Sequence, residues 1–204
     1  MSSKQRRERE KEELRELILK EATQMFLREG YEKTSMRKIA KRVEYSVGTL
    51  YLYYKNKDEL LYAVQGVAFN HFLNYMKPLM DIQHPVERVK KMGEIYLFFS
   101  LQNPDYYDLM FVIDAPMKAV EEGESWKKGE QLFHTLKYAV QDCIDQGYTK
   151  IKDVDALSMM LWSTMHGMVT LSHKERLRVM QVENEQIVMN QVNAMMIDSL
   201  FQTN

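Results

Sequence analysis

The sequence predicts an all-α protein, and three observations support this fold class. The chain of 204 residues contains only 4 prolines and 8 glycines, which separate long segments of helical periodicity. Hydrophobic residues make up 45% of the chain, which is ample for a buried core. The one stretch with strand-like composition, residues 46–57, has no convincing partner strand elsewhere in the sequence. We therefore expect helices joined by short turns.

The first helix is predicted over residues 8–29, and Gly30 follows it as a C-terminal glycine. Its apolar positions recur at intervals of three and four residues: Leu14, Leu17, Ile18, Ala22, Met25 and Phe26. Thr34 and Ser35 are cap residues for a short second helix, which ends in a turn at residues 44–45. The apolar face of this second helix consists of Met36, Ile39, Ala40 and Val43.

Residues 46–57, SVGTLYLYYKNK, have the composition of a strand but the spacing of a helix. As a strand, both faces would be largely apolar, which suits only a strand buried on both sides. As a helix capped by Ser46, the stretch has an inward stripe at i, i+3, i+4 and i+7, namely Val47, Leu50, Tyr51 and Tyr54. The helix is favoured because the chain supplies only helices around it.

A capping box at Asn56-x-x-Glu59 predicts a fourth helix that ends near Pro78. Proline, glycine and cap residues limit the further predicted helices, which cover residues 85–102, 104–113, 125–146, 154–173 and 183–202. The chain is expected to divide into two domains. Residues 1–56 would form a small three-helix domain, and residues 57–204 a larger helical domain.

Charge is distributed unequally along the chain. Residues 1–60 contain 15 Lys/Arg and 11 Asp/Glu, whereas the remainder contains 13 basic and 18 acidic residues. A basic N-terminal part indicates a local site for a polyanion. The alternative is that these charges belong to a solvated helix that binds no polyanion, and the charge distribution by itself favours this alternative.

Two short helices joined by a tight turn and braced by a longer helix make a helix-turn-helix arrangement. The DNA major groove, about 12 Å wide, admits one helix, whose first turns contact base edges. The residues predicted to face outward from the third helix are Gly48, Thr49, Leu52 and Tyr53. Lys55 and Lys57 add positive charge beside it, and Lys57 lies at the N-terminus of the next helix.

Residues 30–61, GYEKTSMRKIAKRVEYSVGTLYLYYKNKDELL, resemble the DNA-binding domain of the TetR family of bacterial transcription regulators. The resemblance rests on Gly30-Tyr31, Thr34-Ser35, Ile39-Ala40, Ser46, Gly48 to Tyr51, Tyr53-Tyr54, Lys57 and Leu60. The chain departs from the family pattern at Val43-Glu44-Tyr45, where the family usually has Ala-Gly-Val. Glycine favours a turn with positive φ, so Glu44 is expected to strain or alter the turn.

The resemblance implies an N-terminal helix-turn-helix domain that binds double-stranded DNA. The implied DNA-binding residues are Thr34, Ser35, Arg37, Ser46, Val47, Gly48, Thr49, Tyr51, Leu52, Tyr53 and Lys57. Tyr51 has two open interpretations, core packing or a hydroxyl contact with phosphate, because it lies on the predicted inward stripe. Residues 4–10, KQRRERE, either form an arm on the DNA backbone or a solvated, frayed end; the interleaved glutamates favour the second.

The resemblance also implies a C-terminal helical domain for ligand binding and dimerisation. The segment LWSTMHGMVTL, residues 161–171, is similar to a Trp-x-x-x-His-Gly motif of some family members, and its Gly167 suggests close helix packing. Candidate ligand-binding residues for an apolar or aromatic effector are Tyr96, Phe99, Tyr107, Met110, Phe111, Trp126, Trp162, Met165 and His166. Trp162 and His166 either line a cavity or pack in the core, and the pattern favours the core.

The resemblance implies a homodimer through the helices near 154–173 and 183–202, because family members usually dimerise through such a pair. A dimer also fits DNA binding, since two recognition helices 34–36 Å apart match a pseudo-palindrome. No nucleotide-binding, metal-protease or nucleophile-elbow motif occurs, so we predict no catalytic residues, no metal and no cofactor. No 18-residue apolar run and no signal peptide are found, which indicates a cytoplasmic protein without a membrane partner. The predicted function is a ligand-responsive repressor; the alternative is a helical protein-interaction or small-molecule-binding protein without operator binding.

Overall fold

The computed structural model describes residues 3–113 and 127–202 and confirms the all-α fold class. Over these residues the helices are α1 (Ser3–Glu29), α2 (Met36–Arg42), α3 (Val47–Tyr51), α4 (Lys57–Met76), a 3-10 helix (Lys77–Asp81), α5 (Pro85–Gln102), α6 (Pro104–Phe111), α7 (Lys127–Asp145), α8 (Val154–His173), α9 (Arg176–Val179) and α10 (Glu185–Leu200). In this part of the chain, no helix combines the length and the apolarity that crossing a membrane requires.

The predicted limits of α5 and α8 agree with the structure to the residue. The largest difference is at α1, which begins at Ser3 instead of residue 8. Its first turns are rich in Arg, Lys and Glu, which are good helix formers, and i,i+4 ion pairs such as Arg6–Glu10 support them. The 3-10 helix and the four-residue α9 were not predicted, because elements so short have no apolar periodicity.

The described residues form two compact units. The first contains residues 3–69 and 105–113, and the second contains residues 70–104 and 127–202. The boundary between the two units therefore falls within α4. The predicted domain division after residue 56 stays a prediction.

The first unit has a core built mainly from α1, α2, α3 and the first half of α4. Its buried apolar members are Ile18, Ala22, Phe26, Met36, Ile39, Ala40, Val43, Leu50, Tyr54, Leu60, Leu61, Val64 and Leu109. Leu109 belongs to α6, and its carbonyl accepts a buried hydrogen bond of 2.6 Å from the Gln65 side-chain amide of α4. One end of α6 is thus part of the core that supports the two short helices.

In the second unit α5 packs against α7, α8 and α10. Arg88 of α5 is buried, and its guanidinium donates to Asp142 at 2.9 Å and to the Ile82 carbonyl at 3.0 Å. Paired hydrogen bonding of this kind compensates for the cost of burying a charge. These contacts hold α5 at the centre of the unit.

A tight contact between two helices of the second unit lies at Gly93 of α5. A Cβ at this position would be 2.8 Å from Cγ of Asn193, a buried residue of α10. By contrast, a Cβ at Gly167 would meet no atom within 4 Å. The close packing predicted at Gly167 is therefore wrong within the described chain, and the sequence around Gly93 contains no signal that marks it as the tight position.

Candidate nucleic-acid interface

The α2 and α3 helices form a helix-turn-helix whose N-termini are both capped by serine. The Ser35 hydroxyl accepts from the Lys38 amide at 3.3 Å, and the Ser46 hydroxyl accepts from the Thr49 amide at 3.0 Å. Each cap satisfies an amide that the helix leaves without an internal partner. The first turn of α3 is therefore held rigid at the place where a recognition helix contacts DNA.

The turn between the two helices is a complete Schellman motif with glutamate at the left-handed position. Glu44 has φ +61°, the Tyr45 amide donates to the Ala40 carbonyl at 3.0 Å, and the Glu44 amide donates to Lys41 at 3.3 Å. The chain thus keeps the positive-φ conformation that the family pattern suggests, despite the missing glycine. A residue with a Cβ pays roughly 1–2 kcal/mol for this conformation.

We expect Glu44→Gly to raise the free energy of unfolding by about 0.5–1 kcal/mol, because relief of the left-handed strain exceeds the entropic cost of glycine. Urea unfolding followed by circular dichroism measures the effect. Glu44→Ala is the matched control, since it removes the carboxylate but keeps the Cβ; its stability should stay near that of the wild type. Equal stabilisation by alanine and glycine would mean that the charge of Glu44, and not its backbone conformation, is responsible.

Residues 47–54, which comprise α3 and the three residues after it, form a buried face and an exposed face. Leu50 and Tyr54 are buried in the core, whereas Gly48 and Leu52 are exposed. Tyr51 is 50% exposed, so the structure excludes the core-packing interpretation of this residue. Val47, Thr49 and Tyr53 are half-buried, and Val47 and Tyr53 also pack against the core. The predicted inward stripe is therefore wrong at Tyr51, because the short helix turns its side chain outward.

At the start of α2 the structure separates two residues that the resemblance treats alike. Thr34 is 2% exposed, and its hydroxyl donates to the Gly30 carbonyl at 2.9 Å. This arrangement argues against the predicted phosphate contact through the Thr34 side chain, which instead closes the C-terminal end of α1. Ser35 and Arg37 are exposed, as a DNA contact requires.

Lys57, the first residue of α4, is positioned by a cluster that the sequence did not reveal. Its ammonium lies 3.8 Å from the centroid of the Tyr31 ring, a cation–π arrangement. The Tyr31 hydroxyl donates to Asp58, and burial together with the Asp58 carboxylate raises the pKa of Tyr31. The Gly30-Tyr31 pair was a family signature in the sequence, but only the fold brings the ring under Lys57.

The candidate ligand residues are distributed over both units. Tyr107, Met110 and Phe111 belong to the first unit, where Tyr107 and Met110 are fully buried. The candidates in the second unit are Tyr96, Phe99, Trp162, Met165 and His166. Trp126 lies outside the described residues.

In the second unit, an aromatic cluster surrounds His166. The Tyr96 hydroxyl lies 3.1 Å from Nδ1 of His166, and the Trp162 ring lies 5.7 Å from both the His166 ring and the Phe133 ring. Burial lowers the pKa of His166, so the neutral imidazole is favoured. Sequence reasoning missed Phe133; the helical period of α7 marks it as a core-facing position but does not show which neighbour it meets.

Comparison with known proteins identifies relatives of both halves of the chain. Residues 18–64 match the family described as bacterial regulatory proteins, tetR family, and residues 89–195 match the tetracyclin repressor-like C-terminal domain. An HTH-type transcriptional regulator of Staphylococcus aureus is 31% identical over 147 residues, which cover 69% of this chain and 74% of the relative. An uncharacterised HTH-type transcriptional regulator of Haemophilus influenzae is 35% identical over 95 residues, which cover 46% of this chain; here the chain spans about half (51%) of the relative's length.

Among solved structures, a TetR transcription regulator from Haloarcula marismortui superposes with a TM-score of 0.70 at 19% identity. The superposition covers 94% of this chain and 100% of the other. At this identity the likeness concerns the fold alone, an N-terminal helix-turn-helix followed by a helical C-terminal region.

Proposed function

Because this chain belongs to the TetR family of bacterial regulatory proteins, we propose that it is a ligand-responsive repressor that binds a pseudo-palindromic operator as a dimer. The observation that carries the proposal is the outer face of α3. Gly48, Tyr51 and Leu52 are exposed there, while Leu50 is buried and Ser46 holds the first turn. A rigid helix that shows a small residue and hydroxyl groups suits entry into the major groove.

In the proposed interface, Ser46, Val47, Gly48 and Thr49 contact base edges and the adjacent backbone. A second group lines the phosphates: Ser35, Arg37, Tyr51, Leu52, Tyr53 and Lys57. Thr34 supports the start of α2 from within the core. A turn disrupted by Glu44 would favour the alternative function without operator binding, but the Schellman turn is retained.

Dimerisation is proposed to use α8 and α10. Both helices carry large apolar side chains that are exposed in the single chain: Met159, Met160, Leu171, Ile187, Val188 and Met195. Apolar exposure on this scale is typical of protein–protein interfaces. A dimer also provides the two recognition helices that inverted half-sites require.

The effector is proposed to be apolar or aromatic and to bind in the second unit near Trp162 and His166. The aromatic rings and the methionine in that unit are adaptable apolar neighbours, and the neutral imidazole and the Tyr96 hydroxyl supply polar groups. An effector changes operator affinity only if it binds the two states of the dimer differently. Mass spectrometry of small molecules released on denaturation would identify a co-purified effector.

The function is tested by selecting bound duplexes from a random DNA pool. We expect two inverted half-sites about one helical turn apart, and binding that falls by roughly 10³–10⁵ between 50 and 200 mM salt if six to ten phosphates are contacted. Fluorescence anisotropy with the selected duplex and a scrambled duplex measures both properties. No preference for any sequence at low salt, with or without released ligand, would refute the proposal.

A further inference from the structure

The N-terminal half of α1 is a helical extension outside the core. The helix begins at Ser3, but its first buried residue is Ile18. Leu14 is the first residue that packs against the core, so the exposed part comprises residues 3–13 and is roughly 17 Å long at 1.5 Å per residue. Burial in the core therefore does not account for this part of the helix.

Ion pairs divide the extension into two faces. Arg6 pairs with Glu10 at 2.7 Å, and Arg9 pairs with Glu13 at 3.3 Å. Arg6, Arg9 and Glu13 lie on the side of the helix that points away from Ile18, given a rotation of about 100° per residue, and Glu10 lies on the flank between the two faces. The acidic residues that interrupt the basic run are therefore partly matched to arginines on this outer face.

The inner face carries a different set of basic residues. Lys4, Arg7 and Lys11 follow an i, i+3, i+7 spacing that continues through Leu14 to the buried Ile18. Within residues 3–113 and 127–202, no ion pair is found for these three side chains. Glu8 and Glu12 lie on the flank of this face. Glu12 is also close enough to Tyr54 to interact with it electrostatically.

This inner face forms one wall of an open groove of about 590 Å³ whose other wall is the helix-turn-helix. The groove is lined by Arg7, Glu10, Lys11, Leu14, Tyr45, Leu52 and Tyr53. Glu10 is paired with Arg6, which leaves Arg7 and Lys11 as the cations of the groove. Tyr45 and Leu52 are exposed, and Leu52 directly follows α3. The basic face is therefore continuous with the surface proposed to contact DNA.

We propose that the N-terminal extension of α1 is a second DNA-binding element, in which Arg7 and Lys11 bind backbone phosphates of the duplex that flanks each half-site. The inference rests on the proposed function, and it commits to duplex DNA because the face is basic and adjoins the recognition helix. Arg7 and Lys11 are about 6 Å apart along the helix axis. Phosphates of one strand rise by about 3.4 Å each, so the two side chains reach different phosphates.

The test compares Arg7→Gln/Lys11→Gln with wild type on the selected duplex, once with about 2 and once with about 10 flanking base pairs. Each lost phosphate contact lowers the slope of log affinity against log salt by about 0.9, so the loss of two contacts at each of the two half-sites should decrease the slope by about 3.6. Affinity for the long duplex should fall about tenfold or more near 150 mM salt, with unchanged sequence preference. Affinity for the short duplex should change little.

Arg6→Gln/Arg9→Gln is the matched control, because it removes the same charge from the same helix on the outer face. It should keep the wild-type slope and the preference for long flanks. Arg7→Lys/Lys11→Arg keeps the charges and should also behave as wild type, and circular dichroism verifies that α1 stays helical.

A wild-type slope in the Arg7→Gln/Lys11→Gln variant, or an equal loss in the Arg6→Gln/Arg9→Gln control, overturns the inference while leaving operator binding intact. Absence of sequence-specific binding by the wild type would instead overturn the proposed function itself, and the inference with it.

Discussion

Gly48→Leu is expected to weaken operator binding by about 100-fold without destabilising the protein. A helix with its side chains is roughly 10–12 Å across and fills a major groove about 12 Å wide, so a large side chain facing the bases pushes the helix out. The lost base contacts amount to about 2.7 kcal/mol, the equivalent of the 100-fold change. Fluorescence anisotropy with the selected operator measures the affinity.

We expect the fold to tolerate Gly48→Leu. A Cβ at Gly48 would meet only the Ser46 hydroxyl, at an ordinary contact distance of 3.6 Å, and the position is exposed. Gly48→Ala is the graded control: it should unfold at the same or slightly higher urea concentration, since alanine favours helix, and lose much less affinity than leucine. Non-specific binding to a scrambled duplex should be unchanged in both. Wild-type operator affinity of the leucine variant would show that α3 does not enter the groove at residue 48.

Gly93→Ala is expected to destabilise the second unit by about 2–4 kcal/mol. Its Cβ would overlap the side-chain amide of Asn193, which is 1% exposed and donates to the Lys90 carbonyl at 3.0 Å. Moving Asn193 away strains a packed helix pair, which costs about 1–3 kcal/mol, and leaves buried polar groups without partners, which costs a similar amount. Urea unfolding of the full chain, monitored by circular dichroism, provides the measurement.

A double-mutant cycle separates this clash from the general effect of an added methyl group. Asn193→Ala alone loses the hydrogen bond, but combining it with Gly93→Ala removes the clash, so the double variant should be more stable than the sum of the single effects by at least about 1 kcal/mol. Gly66→Ala is the control for helix propensity. A Cβ there would meet nothing within 4 Å, and its stability should rise by up to about 1 kcal/mol. Additive effects in the cycle would contradict the close approach of α5 and α10.

The sequence predicted the helices well where local signals are strong. Proline at the first position of α5, Asp153 before α8 and the serine caps of α2 and α3 are decided by neighbouring residues alone, and the structure confirms each boundary. One half of the capping box predicted at residues 56–59 is found: the Asn56 side chain accepts from the Glu59 amide at 2.7 Å, whereas the Glu59 carboxylate accepts from the Lys55 amide instead of the Asn56 amide. The candidate DNA-binding set could be named because its pattern extends over a short, continuous segment.

Other features depend on residues that are distant in sequence. Tyr51 and Tyr54 have the same type and neighbouring positions, yet Tyr51 is exposed and Tyr54 is buried, because the short α3 ends between them. The burial of Thr34, the ring of Tyr31 beneath Lys57 and the approach of Asn193 to Gly93 all require a partner from another helix. Helical periodicity specifies which residues share a face, but it contains no information about what that face meets.

The sequence by itself thus determined the fold class and the helix-turn-helix, because caps, turns and apolar spacing act through local backbone chemistry, and the motifs of residues 30–61 carried the resemblance to the family. Only the tertiary structure decided that Glu44 keeps the left-handed turn and that Arg7 and Lys11 line a groove beside the recognition helix. Both outcomes depend on packing: the core of the first unit holds α1, α2 and α3 in one arrangement. In that arrangement, a basic run that looks like a frayed end becomes a wall of the proposed DNA-binding surface.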